Sequence, residues 1–305
     1  MTTPFRDLFQ SNRALSLSMI VIMTLLAWFY LLTMTQDMQG RMDMSEMGLG
    51  MGLFNTQQPA TPAEPAMAHH HHHGMAMEPA TTADTLPPKT FGMPTLGSHW
   101  STLDFALVFA MWIMMMIAMM LPTAAPMIVT YSDILNQQTD GSRMVPLSAF
   151  ISGYLLSWGG YSLLAVVAQW GMLQSSLISD MMVGTNPLFN GGLLIIAGLY
   201  QWSRLKAVCL THCRTPLQFF LTSWKSGNRG ALQMGTIHGA YCVGCCWALM
   251  ILMFFFGLMN LIWIAALSVI MLAEKVLPRG DLFGKGIGAL FFAWGLFLVA
   301  THLSV

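Results

Sequence analysis

The five cysteines of the chain fall into two short clusters, and each cluster also contains a histidine. The first is CLTHC, in which Cys209, His212 and Cys213 occupy positions i, i+3 and i+4. On an α-helix these positions lie on one face. Thiolate sulfur and imidazole nitrogen are ligands for soft and borderline metal ions, Cu(I) and zinc among them. The cluster therefore predicts metal ligands on one helix face.

The second cluster is HGAYCVGCC, and its candidate ligands have the same helical spacing. At positions i, i+4, i+7 and i+8 they are His238, Cys242, Cys245 and Cys246. A lone cysteine usually packs as a small apolar side chain, whereas five in two His-containing clusters favour metal binding. Gly235 and Gly239 form a small-xxx-small pair that permits close helix packing. If the two helices are neighbours, the clusters converge on one site.

A third source of soft ligands is the segment MWIMMMIAMMLP. One helical row contains Met111, Met115 and Met119, and a neighbouring row contains Met116 and Met120. Thioether sulfur prefers Cu(I). A methionine row at helical spacing is most often packing, and beside a thiol site its second interpretation is a relay for Cu(I).

A fourth concentration of ligands lies in the segment AHHHHHGMAM, within a stretch rich in proline and alanine. This composition predicts disorder. The candidate ligands are His69, His70, His71, His72, His73, Met75 and Met77. The histidine run is internal and bracketed by methionines, unlike a terminal purification tag. Imidazole and thioether together favour copper, so we expect this loop to collect copper ions.

The elements that must position these ligands are membrane helices. The chain is 55% hydrophobic and 9% charged, against about 25% charged in globular proteins. Spans of about 20 apolar residues are expected in helical form. We identify seven such segments: 15–33, 103–121, 147–170, 188–202, 237–256, 258–273 and 286–302. The predicted fold is an all-α, polytopic membrane helix bundle.

Lysine and arginine in the loops predict the orientation of the bundle. With the N-terminus inside and the C-terminus outside, eleven of the 13 basic residues lie on the inner side. Three regions follow: an anchor helix at 1–34, an outer Met/His-rich loop at 35–102 and a six-helix metal-binding core at 103–305. Both cysteine clusters then lie at the inner membrane edge, where thiols stay reduced. Glu274 and Lys275, at the inner end of the sixth segment, are expected to form an interfacial pair.

The residues leave three classes of function open. A copper transporter or chaperone would use the loop, the methionine rows and the thiols in turn. An assembly or scaffold protein would hold structural zinc at the thiols. A thiol–disulfide oxidoreductase would use Cys242 and Cys245 as a CxxC pair, although the inner location counts against it. Net charge is zero, which gives no indication of nucleic-acid binding, and copper, as Cu(I), is favoured over zinc.

Three segments resemble the predicted metal-binding integral membrane proteins, a family formerly described as a domain of unknown function. They are MWIMMMIAMMLP, AGLYQWSRLKAVCLTHCRTP and GAYCVGCCWALMILMFFFGLMNLIWIAALSVIMLAEK. The family includes membrane proteins proposed as copper chaperones for bacterial copper oxidases such as tyrosinase. The resemblance covers about residues 103–300. It implies a non-enzymatic, multi-pass protein of the bacterial inner membrane, with the lipid bilayer, a metal ion and a copper-dependent oxidase or another copper carrier as partners.

Overall fold

The computed structural model describes residues 4–39, 100–138, 144–179 and 183–304. Within these ranges the regular structure is helical, apart from one isolated bridge between Ile178 and Gly184. The α-helices there are α1 (Pro4–Gln39), α2 (Thr102–Met120), α3 (Ala125–Gln138), α4 (Met144–Gln174), α5 (Pro187–Gln201), α6 (Arg204–Arg214), α7 (Pro216–Ser223), α8 (Gly227–Met250), α9 (Met253–Phe256), α10 (Leu261–Val276) and α11 (Gly280–Leu303). The predicted all-α class is confirmed. The predicted ligands His69 to His73, Met75 and Met77 lie outside the described residues.

Several of these helices have the length and composition of membrane spans. Five candidates are Ser16–Gln36, Thr102–Met120, Val145–Gln174, Gly227–Phe256 and Gly280–Leu303. The pair α5 and α6 makes a sixth if it is one span, bent by 63°. The predicted sixth segment falls on α10, which has 16 residues, fewer than the usual minimum of about 17 for a spanning helix. The count of seven and the inside position of the N-terminus stay predictions.

The fourth segment ends where hydropathy predicts, whereas the fifth begins earlier than predicted. The fourth segment breaks after Trp202, because the Ser203 hydroxyl accepts a hydrogen bond from the Lys206 N–H at 3.1 Å and so caps a new helix, α6. The fifth begins at Gly227 rather than at Ile237. Its first turns carry polar residues, which an apolar count leaves out. The second cluster therefore lies in the second half of α8 instead of at its start.

Helix α8 packs closely along α4, and glycines make this contact possible. A Cβ atom at Gly235 would collide with the Phe150 backbone, and one at Gly239 would come within 2.7 Å of the Ser157 Cβ. The small-xxx-small pair thus acts as predicted, but its partner is α4, the third predicted segment, rather than the fourth. Helix α6 lies on another face of α8.

The remaining helices surround this pair. Helix α2 contacts both α1 and α4, and its C-terminal end meets α10. Arg13 on α1 donates two hydrogen bonds of 2.7 Å to the Asp133 carboxylate on α3. The start of α2 is defined by a capping box, in which Ser101 and Asp104 bond each other's backbone N–H groups. The result is a bundle in which α2, α6, α8 and α10 meet around one interior region.

We predict that Gly235→Ala destabilises the bundle. The added methyl group meets backbone atoms of α4 that cannot rotate away, and overpacking of this kind costs about 1–3 kcal/mol. Thermal unfolding of the detergent-purified protein should show a lower midpoint. Gly160→Ala, at a helical glycine of α4 with no atom within 4 Å of the added Cβ, is the matched control. Equal midpoints for the two variants would contradict the role given to Gly235.

Candidate metal centre

The two cysteine clusters meet where α6 packs on α8. The Sγ atom of Cys213 on α6 lies 4.0 Å from the Sγ atom of Cys245 on α8. The Sγ atom of Cys246 is 3.3 Å from that of Cys245. All five cysteines are buried and carry free thiols. The sequence left open whether the two clusters meet, and in the structure their thiols lie side by side.

Cys209 also faces α8, one helical turn before Cys213. A Cβ atom at Gly244 would lie 2.9 Å from the Cys209 Sγ atom, so the thiol packs against bare backbone. The Gly244 carbonyl accepts a hydrogen bond of 2.5 Å from the Tyr200 hydroxyl on α5. A larger residue at this position would have to displace the Cys209 thiol.

Cys242 belongs to a closed ring of hydrogen bonds. The Lys275 Nζ atom lies 3.0 Å from the Cys242 Sγ atom and 2.8 Å from the Thr123 Oγ1 atom. The Thr123 and Tyr154 hydroxyls both donate to the Met120 carbonyl, each at 2.8 Å. The Tyr154 oxygen is 3.2 Å from the Cys242 sulfur. Either the hydroxyl or the thiol can be the donor in this last contact.

The Met120 carbonyl is free to accept these bonds because α2 ends there. The chain continues through a short 3-10 turn, Pro122–Ala124, in which the Ala124 N–H donates to the Leu121 carbonyl at 3.1 Å. An uninterrupted α-helix would direct that N–H to Met120. The 3-10 turn that follows the methionine-rich segment therefore leaves a backbone acceptor at the thiol site.

Both methionine rows face the interior of the bundle. Their side chains are fully buried, with at most 1% of each exposed: Met111, Met115, Met116, Met119 and Met120. Packing alone would also bury them, so burial does not distinguish the two interpretations of the rows. The end of the second row does connect the rows to the thiol site, because the Met120 carbonyl is part of the hydrogen-bond ring around Cys242.

The two histidines have different surroundings. His238 is 2% exposed and lies among the rings of Phe150, Tyr154 and Phe219. Its Nδ1 atom is buried and has no hydrogen-bond partner in the part of the chain that the structure describes. His212 is half-buried and stacks on Tyr241 with ring centroids 4.2 Å apart. Its Nδ1 atom is 2.9 Å from the Val208 carbonyl, which can only accept, so Nε2 is the nitrogen left for a ligand.

The hydrogen-bonding partners of Cys242 were not predicted as site residues, and one pairing differs from expectation. Glu274 accepts a hydrogen bond of 2.7 Å from Lys206, whereas Lys275 turns to Cys242 and Thr123. Consecutive residues on a helix point about 100° apart, so neighbours in sequence reach different partners. Helical spacing shows that the two side chains diverge, but it does not identify their partners.

The separation of the sulfur atoms is suited to a shared ion. Two sulfurs each 2.3 Å from one tetrahedral metal are about 3.8 Å apart, close to the 4.0 Å between Cys213 and Cys245. In the part of the chain that the structure describes, no group of three or more His, Cys, Asp or Glu side chains has the arrangement of a metal site. The favourable geometry is thus that of a thiol pair.

Comparison with known protein families gives a match over residues 109–298, to a family described as PpoB2, copper chaperone. The chain belongs to this copper chaperone family. The match contains both cysteine clusters, both methionine rows and Lys275, and it confirms the resemblance noted from the sequence. Comparisons with curated proteins and with solved structures give no match.

In this member of the copper chaperone family, the CxxC pair has surroundings unlike those of a redox centre. The Cys245 thiol donates to the Cys242 carbonyl at 3.2 Å, and its sulfur contacts the thiols of Cys213 and Cys246. The Cys242 sulfur contacts Lys275 and Tyr154 instead. Both residues are buried in the body of α8, whereas reactive CxxC cysteines are partly exposed. The arrangement resembles a ligand cluster more than a disulfide exchanger.

We predict that Cys213 and Cys245 can be cross-linked within one chain. A variant that keeps these two residues and has serine at the other three cysteines should form a disulfide under mild oxidation, because the thiols are already 4.0 Å apart. Mass spectrometry of proteolytic peptides detects the bond. The control also keeps Cys213, but in it Cys245 is changed to Ser as well. Its second cysteine is introduced by Ala240→Cys, at an exposed position of α8. Equal cross-linking in both would show that α6 is not held in this position.

Proposed function

We propose that this protein is a membrane carrier of Cu(I), acting as a chaperone or transporter, with its tight binding site at the thiols between α6 and α8. The observation that carries the proposal is the junction of three groups of ligands. Thiols from two helices lie within 4.0 Å of each other, and the ring around Cys242 joins them to the end of the methionine-rich helix. Membership of a copper chaperone family supports the choice of metal.

Copper would move between ligands that all favour the same oxidation state. Thioether and thiolate sulfur are both soft donors that select Cu(I). In this proposal the Met/His-rich loop collects copper, Met111, Met115 and Met119 pass it along α2, and the thiols bind it more tightly. Low-coordinate sites exchange ligands one at a time, so an ion can be handed on without leaving protein ligands. The recipient or donor at the thiols is a copper-dependent oxidase or another copper carrier.

The proposed topology places the thiols at the inner edge of the bacterial inner membrane. With the N-terminus inside, α2 runs inward and ends at Met120, and the next residues contact Lys275 near the end of α10. Cys242 contacts Lys275 as well. It therefore lies at the same depth in the membrane as the ends of α2 and α10. A reducing interior keeps the thiols available for copper.

His238 is the proposed additional ligand. It precedes Cys242 by one helical turn, and its Nδ1 atom is buried without a partner. A buried polar atom without a hydrogen bond costs about 1–3 kcal/mol. Coordination of copper, or a hydrogen bond formed when copper binds, would remove this cost.

The direct test is competition for Cu(I) against a chromophoric chelator. We expect the reduced, detergent-purified protein to bind tightly and a variant with all five cysteines changed to serine to bind more than about a hundredfold more weakly, because even indirect changes at metal sites cost 10–100-fold. The metal content of the protein as purified distinguishes copper from structural zinc. Unchanged Cu(I) affinity in the variant would place copper elsewhere and leave zinc as the first explanation of the thiols.

The relay is tested separately by changing Met115 and Met119 to leucine. Leucine has similar volume, so the stability change is below about 1.5 kcal/mol, but it lacks the thioether. We expect slower copper transfer in protein-containing vesicles, with unchanged Cu(I) affinity at the thiols. Met114→Leu, at a partly buried position outside both rows, is the matched control. Equal transfer in all three proteins would mean that the rows serve packing alone.

A further inference from the structure

We propose that Lys275 makes the thiol site selective for a monovalent over a divalent ion. This inference rests on the proposed function, because it assumes that copper binds at the thiols. It concerns a residue for which neither the sequence clusters nor the family match indicates a role. The property it would explain is how a site built from thiolates, which also bind zinc well, comes to hold Cu(I).

The position of the Lys275 side chain is defined by two contacts. Its Nζ atom donates to the Cys242 Sγ atom at 3.0 Å and to the Thr123 Oγ1 atom at 2.8 Å. A metal ion bound to the Cys242 sulfur would be about 2.3 Å from it. The ion and the ammonium group would therefore be at most about 5 Å apart.

The carboxylate that could neutralise Lys275 is occupied by another lysine. Glu274 is adjacent in sequence, but its Oε2 atom lies 2.7 Å from the Lys206 Nζ atom, and both groups are buried. The positive charge of Lys275 is thus directed at the thiols and the Thr123 hydroxyl. The other titratable groups in this cluster are Cys213, Cys245 and Cys246. On the α4 side, Tyr154 contacts the Cys242 sulfur.

Repulsion between the ammonium group and a bound ion is proportional to the charge of the ion. A divalent ion at the same place is repelled twice as strongly as Cu(I), whatever the number of thiolates that hold it. At a separation of about 5 Å and an effective dielectric constant of about 20, the additional unit of charge lowers relative affinity by about a hundredfold. Burial of the site keeps salt from screening this effect.

The experiment compares the affinities for Zn(II) and Cu(I), each measured by competition with a chromophoric chelator, in wild type and in Lys275→Gln. Glutamine keeps a hydrogen-bond donor for Thr123 and Cys242 but has no charge. We expect the affinity for Zn(II) relative to Cu(I) to rise at least about tenfold. Lys275→Arg should restore the wild-type ratio, which a merely structural role would not require. Lys285→Gln, at an exposed position of α11, is the charge-matched control.

Two further variants separate the possible outcomes. Thr123→Val removes one hydrogen bond of Lys275 and keeps its charge, so it should leave the ratio unchanged. If Lys275→Gln does not give folded protein, Lys275→Met, in which an apolar chain of similar length fills the site, provides the same comparison. An unchanged ratio in the uncharged variants overturns the inference and leaves the copper site intact. Wild-type affinity for both ions in Cys242→Ser would overturn the proposed site itself.

Discussion

The close contact of α8 with two different helices is the constraint on which the rest of the site depends. Glycines at 235 and 239 let the α8 backbone approach α4, and the glycine at 244 lets Cys209 of α6 approach it on another face. The thiols of Cys242, Cys245 and Cys246 are buried in the same stretch of α8. Since close-packed interiors do not deform continuously, the positions of these sulfur atoms follow from the backbone contacts. Larger residues at positions 235 and 239 would hold α8 farther from α4, and one at position 244 would displace the Cys209 thiol.

A buried polar network next to this contact is stable because each of its members has a partner. An ammonium group in an apolar bundle is costly unless it is hydrogen-bonded or paired. Lys275 has the Thr123 hydroxyl and the Cys242 sulfur, and those groups in turn reach the Met120 carbonyl directly or through Tyr154. The last acceptor is available because the chain continues through the 3-10 turn Pro122–Ala124, in which the Ala124 N–H bonds Leu121 instead of Met120. A break in one helix thus supplies the hydrogen bond that lets a charged residue from another enter the core.

The sequence indicated the ligands better than it indicated their surroundings. Residue types and helical spacing were sufficient to predict helices, two one-sided thiol clusters and methionine rows, because each depends on local periodicity. Whether the two clusters meet depends on which helices are neighbours, and the sequence left that open. The ring around Cys242 depends on how α2, α4, α8 and α10 cross, and no spacing in Thr123, Tyr154 or Lys275 reveals that. The bend after Trp202 likewise depends on one serine cap, and the early start of α8 on polar residues that hydropathy excludes.

The two buried lysines of the site have different charge partners, and the difference matters for a metal carrier. Lys206 is neutralised by Glu274, so that pair adds no net charge to the bundle. Among the described residues, Lys275 has no such carboxylate within contact and faces sulfur. Two thiolates that hold one Cu(I) ion carry a net charge of about minus one, as follows from the thiolate form of the ligands. In the proposed site the ammonium group would offset that charge and leave the loaded site close to neutral, which is the cheapest condition for a site buried among apolar helices.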